Sequence, residues 1–439
     1  MMDSWEIKTL GEIYDIEGGR VQTGPFGSQL HESDYKDSGV AVIMPKDIKD
    51  DRLDISNIAR ISDVDANRLK KHIVEVNDII FPRRGDIAKR IIINPEQAGS
   101  FCGTGCIKLR GTGKILDPEY LFYYLKQKSI IFWIEQQAVG ATMLNLNTSI
   151  LRSVPIILPP LKTQRKIASI LSAYDNLIEN NLKRIKLLEE QAQQTYEEWF
   201  VRFKFPGYEN VEFDAISGLP VGWEKVKASK KIKLISGFAF KGKEFTDTPN
   251  NDIAVRMGNF KVGGGLKFEK SKYLIDSSAV KEKFHLNHND LLMVLSDVTR
   301  EGLLIGNVGF LPKDGRKYYL NQRVSKVEVE DNFKMYAYAV FNSFSFKQNC
   351  ISKANSVTVL NLKNDDIYGF KMLIPSKNTI ELWNKIYGSS IQMSQNLERK
   401  NQLLKEARDI LLPRLMTGMI DPSASSGQVV ESLGSNNYR

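Results

Sequence analysis

Histidine and cysteine are scarce in this chain, four and three residues among 439. Cys102, Cys106 and Cys350 are too few for a disulfide framework, and C-x3-C with one distant partner is a poor zinc pattern. Buried or free thiols in a reducing compartment are the expectation. His31, His72, His285 and His288 form no convincing metal set, since H-x-x-H in HLNH is too short a signal. No apolar run approaches the roughly 18 residues of a membrane span, and the opening MMDSWEIKTLGE holds no signal-peptide core. A soluble, cytoplasmic protein with no metal and no membrane contact is expected.

Catalytic signatures are missing too. A helicase motor needs G-x-x-x-x-G-K-[ST] to cradle phosphates, and GTGKI (Gly111 to Ile115) fails it. An amino-methyltransferase needs a polar-Pro-Pro-aromatic tetrapeptide to hold a flipped base. LPPL (Leu158 to Leu161) puts leucine at both critical places. FCGTG (Phe101 to Gly105) has the look of a glycine loop for S-adenosylmethionine, but a strand-turn is the better reading. The chain is expected to catalyse nothing.

What is present is repetition. MLNLNTSILRSVPIILPP (Met143 to Pro160) returns about 215 residues later as VLNLKNDDIYGFKMLIP (Val359 to Pro375). SWEIKTLGEIYDIEGG near the start is answered by GWEKVKASKKIKLISG from Gly222, and VEVNDIIF (Val74 to Phe81) by LNHNDLLM (Leu286 to Met293). In each copy, short apolar runs between Gly, Pro, Asn and Asp clusters read as strands and turns. One helix is expected over PEYLFYYLKQKSIIFWIEQQA, with Asp117 as N-cap and Pro118 at the first helical position.

Each copy runs into a long helical pattern. Ile167, Leu171, Tyr174, Ile178, Asn181, Ile185 and Leu188 alternate spacings of four and three, a coiled-coil seam in which polar Asn181 can fix register. A weaker stripe carries Trp383, Ile386, Met393, Leu397, Leu404 and Leu411, with Pro413 and Gly418 expected to end it. About 38 residues at 1.5 Å give a rod of roughly 57 Å, unstable alone in water. The simplest burial is antiparallel pairing of the rods; the alternative folds each onto its own module. The expected boundaries are 1–160 and 220–375 for the modules, 161–203 and 376–415 for the helices, 204–219 for a linker, and 416–439 for a tail of disorder-like composition. Two heads on a fixed spacer suit two separated marks on a regular polymer, and a net charge of +9 favours a polyanion.

Basic loops supply the candidate DNA contacts. RRGDIAKR after a strand offers Arg83, Arg84, Lys89 and Arg90, with Lys46 and Lys49 nearby in sequence. In the second module Arg256, Asn259 and Lys261 follow a strand, and Arg300 lies in the loop aligned with Arg83-Arg84. Arginine can pair bidentately with guanine and asparagine with adenine, while lysine more often neutralises phosphate.

The arrangement resembles the specificity subunit of type I restriction–modification systems. The carrying strings are GPFGSQLHESDY (Gly24 to Tyr35), NDIIFPRRGDIAKR (Asn77 to Arg90), FCGTGCIKLR (Phe101 to Arg110), ILPPLKTQRKIASIL (Ile157 to Leu171), ISGFAFKGKEF (Ile235 to Phe245) and LLPRLMTGMID (Leu411 to Asp421). Their order is what makes the resemblance specific. Two departures are visible: LKTQRKIA lacks the acidic residue that often precedes the glutamine, and VLSDVTREG replaces the basic loop in the second module.

The resemblance implies an α+β fold of two target-recognition domains, separated by two long antiparallel coiled-coil helices in a pseudo-two-fold internal repeat. Each domain would read one half of a split site in double-stranded DNA. The partners implied are two copies of a modification subunit that methylates adenine N6, and a motor–nuclease subunit where the system restricts. S-adenosylmethionine, ATP and Mg would sit on those partners and no cofactor on this chain. A stand-alone methyltransferase and a coiled-coil scaffold without a DNA role are the alternatives.

Overall fold

A computed structural model describes residues 5–49, 51–138, 145–299, 301–354 and 359–423. The fold is α+β, with two long helices at Leu161–Tyr196 and Lys377–Met416. The chain divides into two compact units, Met1–Asn180 with Lys400–Arg439, and Asn181–Arg399. Both divisions fall inside the long helices, so each unit holds a globular module and a stretch of each helix. Among the described residues no helix is long and apolar enough to cross a membrane.

In the first unit the N-D turn sets the sheet. Asn77 takes a left-handed φ of 71°, which asparagine tolerates, and the Asp78 carboxylate accepts from the Glu75 amide at 2.8 Å. The turn launches Ile79–Pro82, which pairs antiparallel with Cys106–Arg110, and that strand pairs on its other side with Arg20–Thr23. Arg110 locks the start of the strand by donating to both Asp78 oxygens, at 2.8 and 2.6 Å. A second sheet holds a parallel pair, Phe101–Cys102 beside Val40–Ile43. Glu6–Thr9 pairs with Pro155–Leu158 and so ties the two ends of the module together.

The second unit repeats these devices. Asn289 has φ 66°, and Asp290 accepts from the Asn287 amide at 2.8 Å and pairs with Lys326 at 3.0 Å. Leu291–Val294 lies against Val324–Glu328, which pairs in turn with Lys233–Ser236. Asp252–Val255 runs parallel to Lys317–Leu320, and Glu224–Lys227 closes on Lys371–Ile374.

Two helix expectations need correction. The segment from Pro118 forms two helices, Pro118–Leu125 and Lys128–Gln137, because the chain turns at Lys126-Gln127 to bury both apolar faces. Asp117 does cap the first, accepting from the Tyr120 amide at 3.0 Å. Pro413 lies inside the C-terminal helix, which continues to Met416. The central helix passes at its end into a π turn, Glu197–Val201.

Each unit packs one helix stretch against the other. In the first, Ile167 and Leu171 share a core with Leu412, Leu415 and Met416. Arg408 pairs there with Asp175, and Asn401 donates to the Ile178 carbonyl at 3.4 Å. Burial opposes the Asp175 charge, but Lys126, Arg408 and the Tyr123 hydroxyl outweigh it and hold the carboxyl below its ordinary value. In the second unit Tyr196, Trp199 and Phe200 surround Trp383, with ring centroids 6.2, 5.7 and 5.0 Å away.

These contacts correct the seam of the C-terminal helix. Ile386 and Met393 are 42% and 47% exposed, whereas Tyr387 and Asn401 are buried. From Trp383 the inward row steps four then three residues: Tyr387, Ser390, Ser394, Leu397, Asn401, Leu404, Arg408, Leu411, Leu415. All of these are buried or half-buried. Four members of the row, Ser390, Ser394, Asn401 and Arg408, are polar, and Asn401 and Arg408 find polar partners on the central helix, so apolarity alone selected the wrong neighbours. On the central helix Ile167, Leu171, Ile178, Asn181 and Ile185 are buried, and Tyr174 and Leu188 half-buried.

Candidate nucleic-acid interface

The first module's basic loop begins where Ile79–Pro82 ends. The Leu146 amide donates to the Arg83 carbonyl at 2.8 Å, and the Arg83 amide to the Gly105 carbonyl at 2.6 Å, so the backbone is held from both sides. Arg84 is exposed and makes a bridge to Asn145. Arg83 is half-buried with its guanidinium carbon 5.9 Å from the Phe26 ring centroid, and its Nε is buried without a partner. Lys89 is half-buried and sits 3.4 Å from Asp86.

Arg90 is a correction. It is 1% exposed, donates to the Leu125 and Ala88 carbonyls, and lies 5.2 Å from the Phe81 ring centroid. Burial pushes its guanidinium down to about 10. It braces the module from inside and cannot meet a ligand as placed.

Asn259 is a second correction. At 3% exposure it accepts from the Arg256 amide at 2.8 Å and donates to the Lys267 carbonyl at 3.0 Å. Its counterpart in the first module is Asp47, which accepts from the Met44 amide at 2.9 Å. Both side chains fasten a turn, and neither is free to read a base. Lys46 and Lys49 flank Asp47 and are exposed, with Lys49 on Asp54 at 2.6 Å, a bond that raises the lysine's pKa. Arg256 is exposed over the Phe245 ring at 5.3 Å, and Lys261 pairs with Glu398.

Arg300 lies outside the described residues. The backbone nevertheless shows which residues replace Arg83-Arg84 in the second module. The Leu362 amide donates to the Leu295 carbonyl at 2.9 Å, as Leu146 does to Arg83, and Ser296 bridges Asn361 as Arg84 bridges Asn145. The counterpart is therefore Leu295-Ser296, so the second module carries no cation at these two positions.

At this place the second module has an open cleft of about 400 Å³, lined by Ser236, Ser296, Gln322, Arg323, Lys363 and Asn364 among others. Its frame matches the first module closely. A Cβ on Gly24 would lie 2.0 Å from the Gly103 carbonyl oxygen, and one on Gly237 the same 2.0 Å from that of Asn321. The Leu295 amide donates to the Arg323 carbonyl at 2.9 Å, which makes Arg323 the counterpart of Gly105. Gly105 has φ 86° and Arg323 φ 71°. For arginine that conformation costs roughly 1–2 kcal/mol. Gln322, Arg323 and Lys363 are exposed. They were missed in the sequence, although aligning GTGCIKLR with NQRVSKVEV on Lys108 and Lys326 places Arg323 against Gly105.

FCGTG is occupied by internal packing. A Cβ on Gly103 would press on Met44 Sδ at 2.5 Å and Val42 Cγ1 at 2.7 Å, so this glycine serves the close packing of the turn. Cys102, Cys106 and Cys350 are buried thiols, and burial pushes Cys102 and Cys350 up to about 12. Among the described residues no His, Cys, Asp or Glu cluster could hold a metal ion.

Residues 2–190 match the family model described as "Type I restriction modification DNA specificity domain". The chain is 24% identical over 434 residues to the type I restriction enzyme MjaIX specificity subunit of Methanocaldococcus jannaschii, covering 94% of this chain and 93% of that one. It is 24% identical over 355 residues to the MjaVIII specificity subunit of the same organism, covering 80% and 81%. The fold is similar to the crystal structure of a type I restriction-modification S subunit from M. genitalium, at TM-score 0.57 and 16% identity over 94% of this chain and 96% of that one.

Proposed function

We propose that this protein is the DNA-reading subunit of a type I restriction–modification complex, on the match of residues 2–190 to the type I restriction modification DNA specificity domain and on the likeness of the whole chain to specificity subunits. It is not itself an enzyme. It directs adenine-N6 methylation and ATP-dependent cleavage performed by partner subunits.

The observation that carries this reading is the doubled frame. Two modules repeat the same N-D turn, the same parallel pair and the same pinned strand end, while the side chains at that end differ. Such a scaffold serves two half-sites of different sequence, with one module, 1–160 or 220–375, for each. Arg84, Lys46 and Lys49 in the first module and Arg256 in the second are the exposed cations of the proposed interface, with Arg83, Lys89 and Lys261 beside them.

The helices 161–203 and 376–415 act as an antiparallel coiled-coil spacer that holds the modules about one duplex turn apart, on the order of 34 Å. The opposed directions of the helix contacts within each unit support it. Two modification subunits bring S-adenosylmethionine, and a motor–nuclease subunit brings ATP and Mg, all in the cytoplasm.

Sequencing of methylated adenines in cells carrying the chain with its modification subunit is expected to reveal a two-part site with a constant gap. Inserting four residues at matched positions in both helices should change that gap. An unchanged gap would refute the spacer, and scattered methylation would refute sequence reading altogether.

A further inference from the structure

We propose that the turn Gln322-Arg323, together with Lys363 on the same cleft, is the element by which the second module reads its half-site, Arg323 meeting a guanine edge and Lys363 a backbone phosphate. This rests on the DNA-reading role above and assigns it to residues that lie outside the basic loops.

The first support is conformational. Arg323 stands in the left-handed region where the first module has Gly105, so the chain keeps a bulky side chain where glycine would be unstrained. Strain of this kind persists where the surroundings hold it and a role requires it. The surroundings do hold it. The Leu295 amide binds the Arg323 carbonyl, the Gly237 amide binds the Val324 carbonyl at 3.0 Å, and Asn321 abuts Gly237 too closely for any side chain there. A guanidinium on so fixed a backbone loses less freedom on docking than one on a loose loop.

The second support is charge. Arg316 of the same module is taken by Asp314 at 2.5 Å, and Lys326 by Asp290 at 3.0 Å. Arg323 has no ion pair among the described residues and is exposed on the cleft. Its neighbour Gln322 adds an amide that both donates and accepts. An arginine fork paired with an amide suits the edge of a base pair, where arginine takes guanine O6 and N7 together. Lys363, a compact charge on a flexible stem, suits phosphate.

Replacing Arg323 by glycine gives the backbone the residue its conformation prefers, so Arg323→Gly is expected to fold. The full chain, assembled with its modification subunit, would be tested on duplexes carrying each single-base change of the two half-sites. Arg323→Gly should lose about tenfold or more in discrimination at one position of the second half-site, with the first half-site unaffected. Arg323→Lys keeps the charge but not the fork and should lose the same discrimination.

Retention of all discrimination by both variants would overturn the assignment. So would uniform weakening on every sequence by Arg323→Gly with recovery in Arg323→Lys, which is the behaviour of a phosphate contact. A wild-type complex indifferent to sequence would instead overturn the DNA-reading role beneath it, and the two failures are told apart by that control.

Discussion

Gly105 in the first module and Arg323 in the second end the same turn and give their carbonyls to the same strand-end amide, yet one has no side chain and the other a long cation. Similar exchanges recur on this frame. Arg84 corresponds in position to Ser296, His72 to Phe284, and Gln164 to Ile380. The backbone devices stay constant: left-handed Asn77 and Asn289, carboxylates Asp78 and Asp290, and the close glycines Gly24 and Gly237. Backbone hydrogen bonds and close approaches admit few residue types. Exposed ends of the same strands admit many, and they are where one module can differ from the other in what it meets.

The largest effect that separates the two units is expected at Trp383. It is fully buried against Tyr196, Trp199, Phe200 and Tyr387, and in the first unit Ile167 fills the matching place. Trp383→Ala should cost about 3–5 kcal/mol. Hydrogen exchange should show the loss in amides of the second unit, with those of the Ile79–Pro82 sheet still protected; equal loss in both would show that the units unfold together.

Gln164 comes next. Its amide accepts from the Asp117 amide at 2.9 Å and donates to the Ile115 and Pro159 carbonyls at 3.0 and 2.8 Å, where Ile380 merely fills space. Gln164→Ile would copy the second module into the first and strand three backbone groups, at roughly 2–4 kcal/mol. A denaturation midpoint unchanged by this swap would mean that water takes over those bonds.

The smallest effect is acid sensitivity. Burial, then the charges of Lys71 and Lys108, hold the His72 imidazole down at about 4. Below its ordinary 6.5 the unfolded chain takes a proton that the folded one refuses until about 4. Stability contributed by His72 is thus complete above 6.5 and lost as pH falls through that window. His72→Phe, the second module's choice, should flatten the first module's stability between those limits. An unaltered slope would place the acid response in other groups.

The repeat, its strands and the long helices were legible because they depend on local patterns: N-D before an apolar run, Asp117-Pro118 before a helix, and spacings of three and four along Ile167 to Leu188. The site was legible only in part. Arg83 and Arg84 stand at a strand end as their loop composition suggests, but Arg90 in the same loop turns inward. Its partner, the Leu125 carbonyl, is 35 residues away and cannot be named from the loop itself. Arg323 went unnoticed because a left-handed backbone leaves no mark in composition.

By itself the sequence determined that this protein is a repeated α+β frame with long amphipathic helices, since periodicity and turn chemistry act over a few residues. Tertiary structure decided which side of those helices and loops turned inward. Asn401 and Arg408 took the inner row ahead of Ile386 and Met393, and Asn259 was fastened into a turn. The reason is physical. A polar group is buried when a carbonyl or carboxylate waits for it, and only the folded chain brings that partner near.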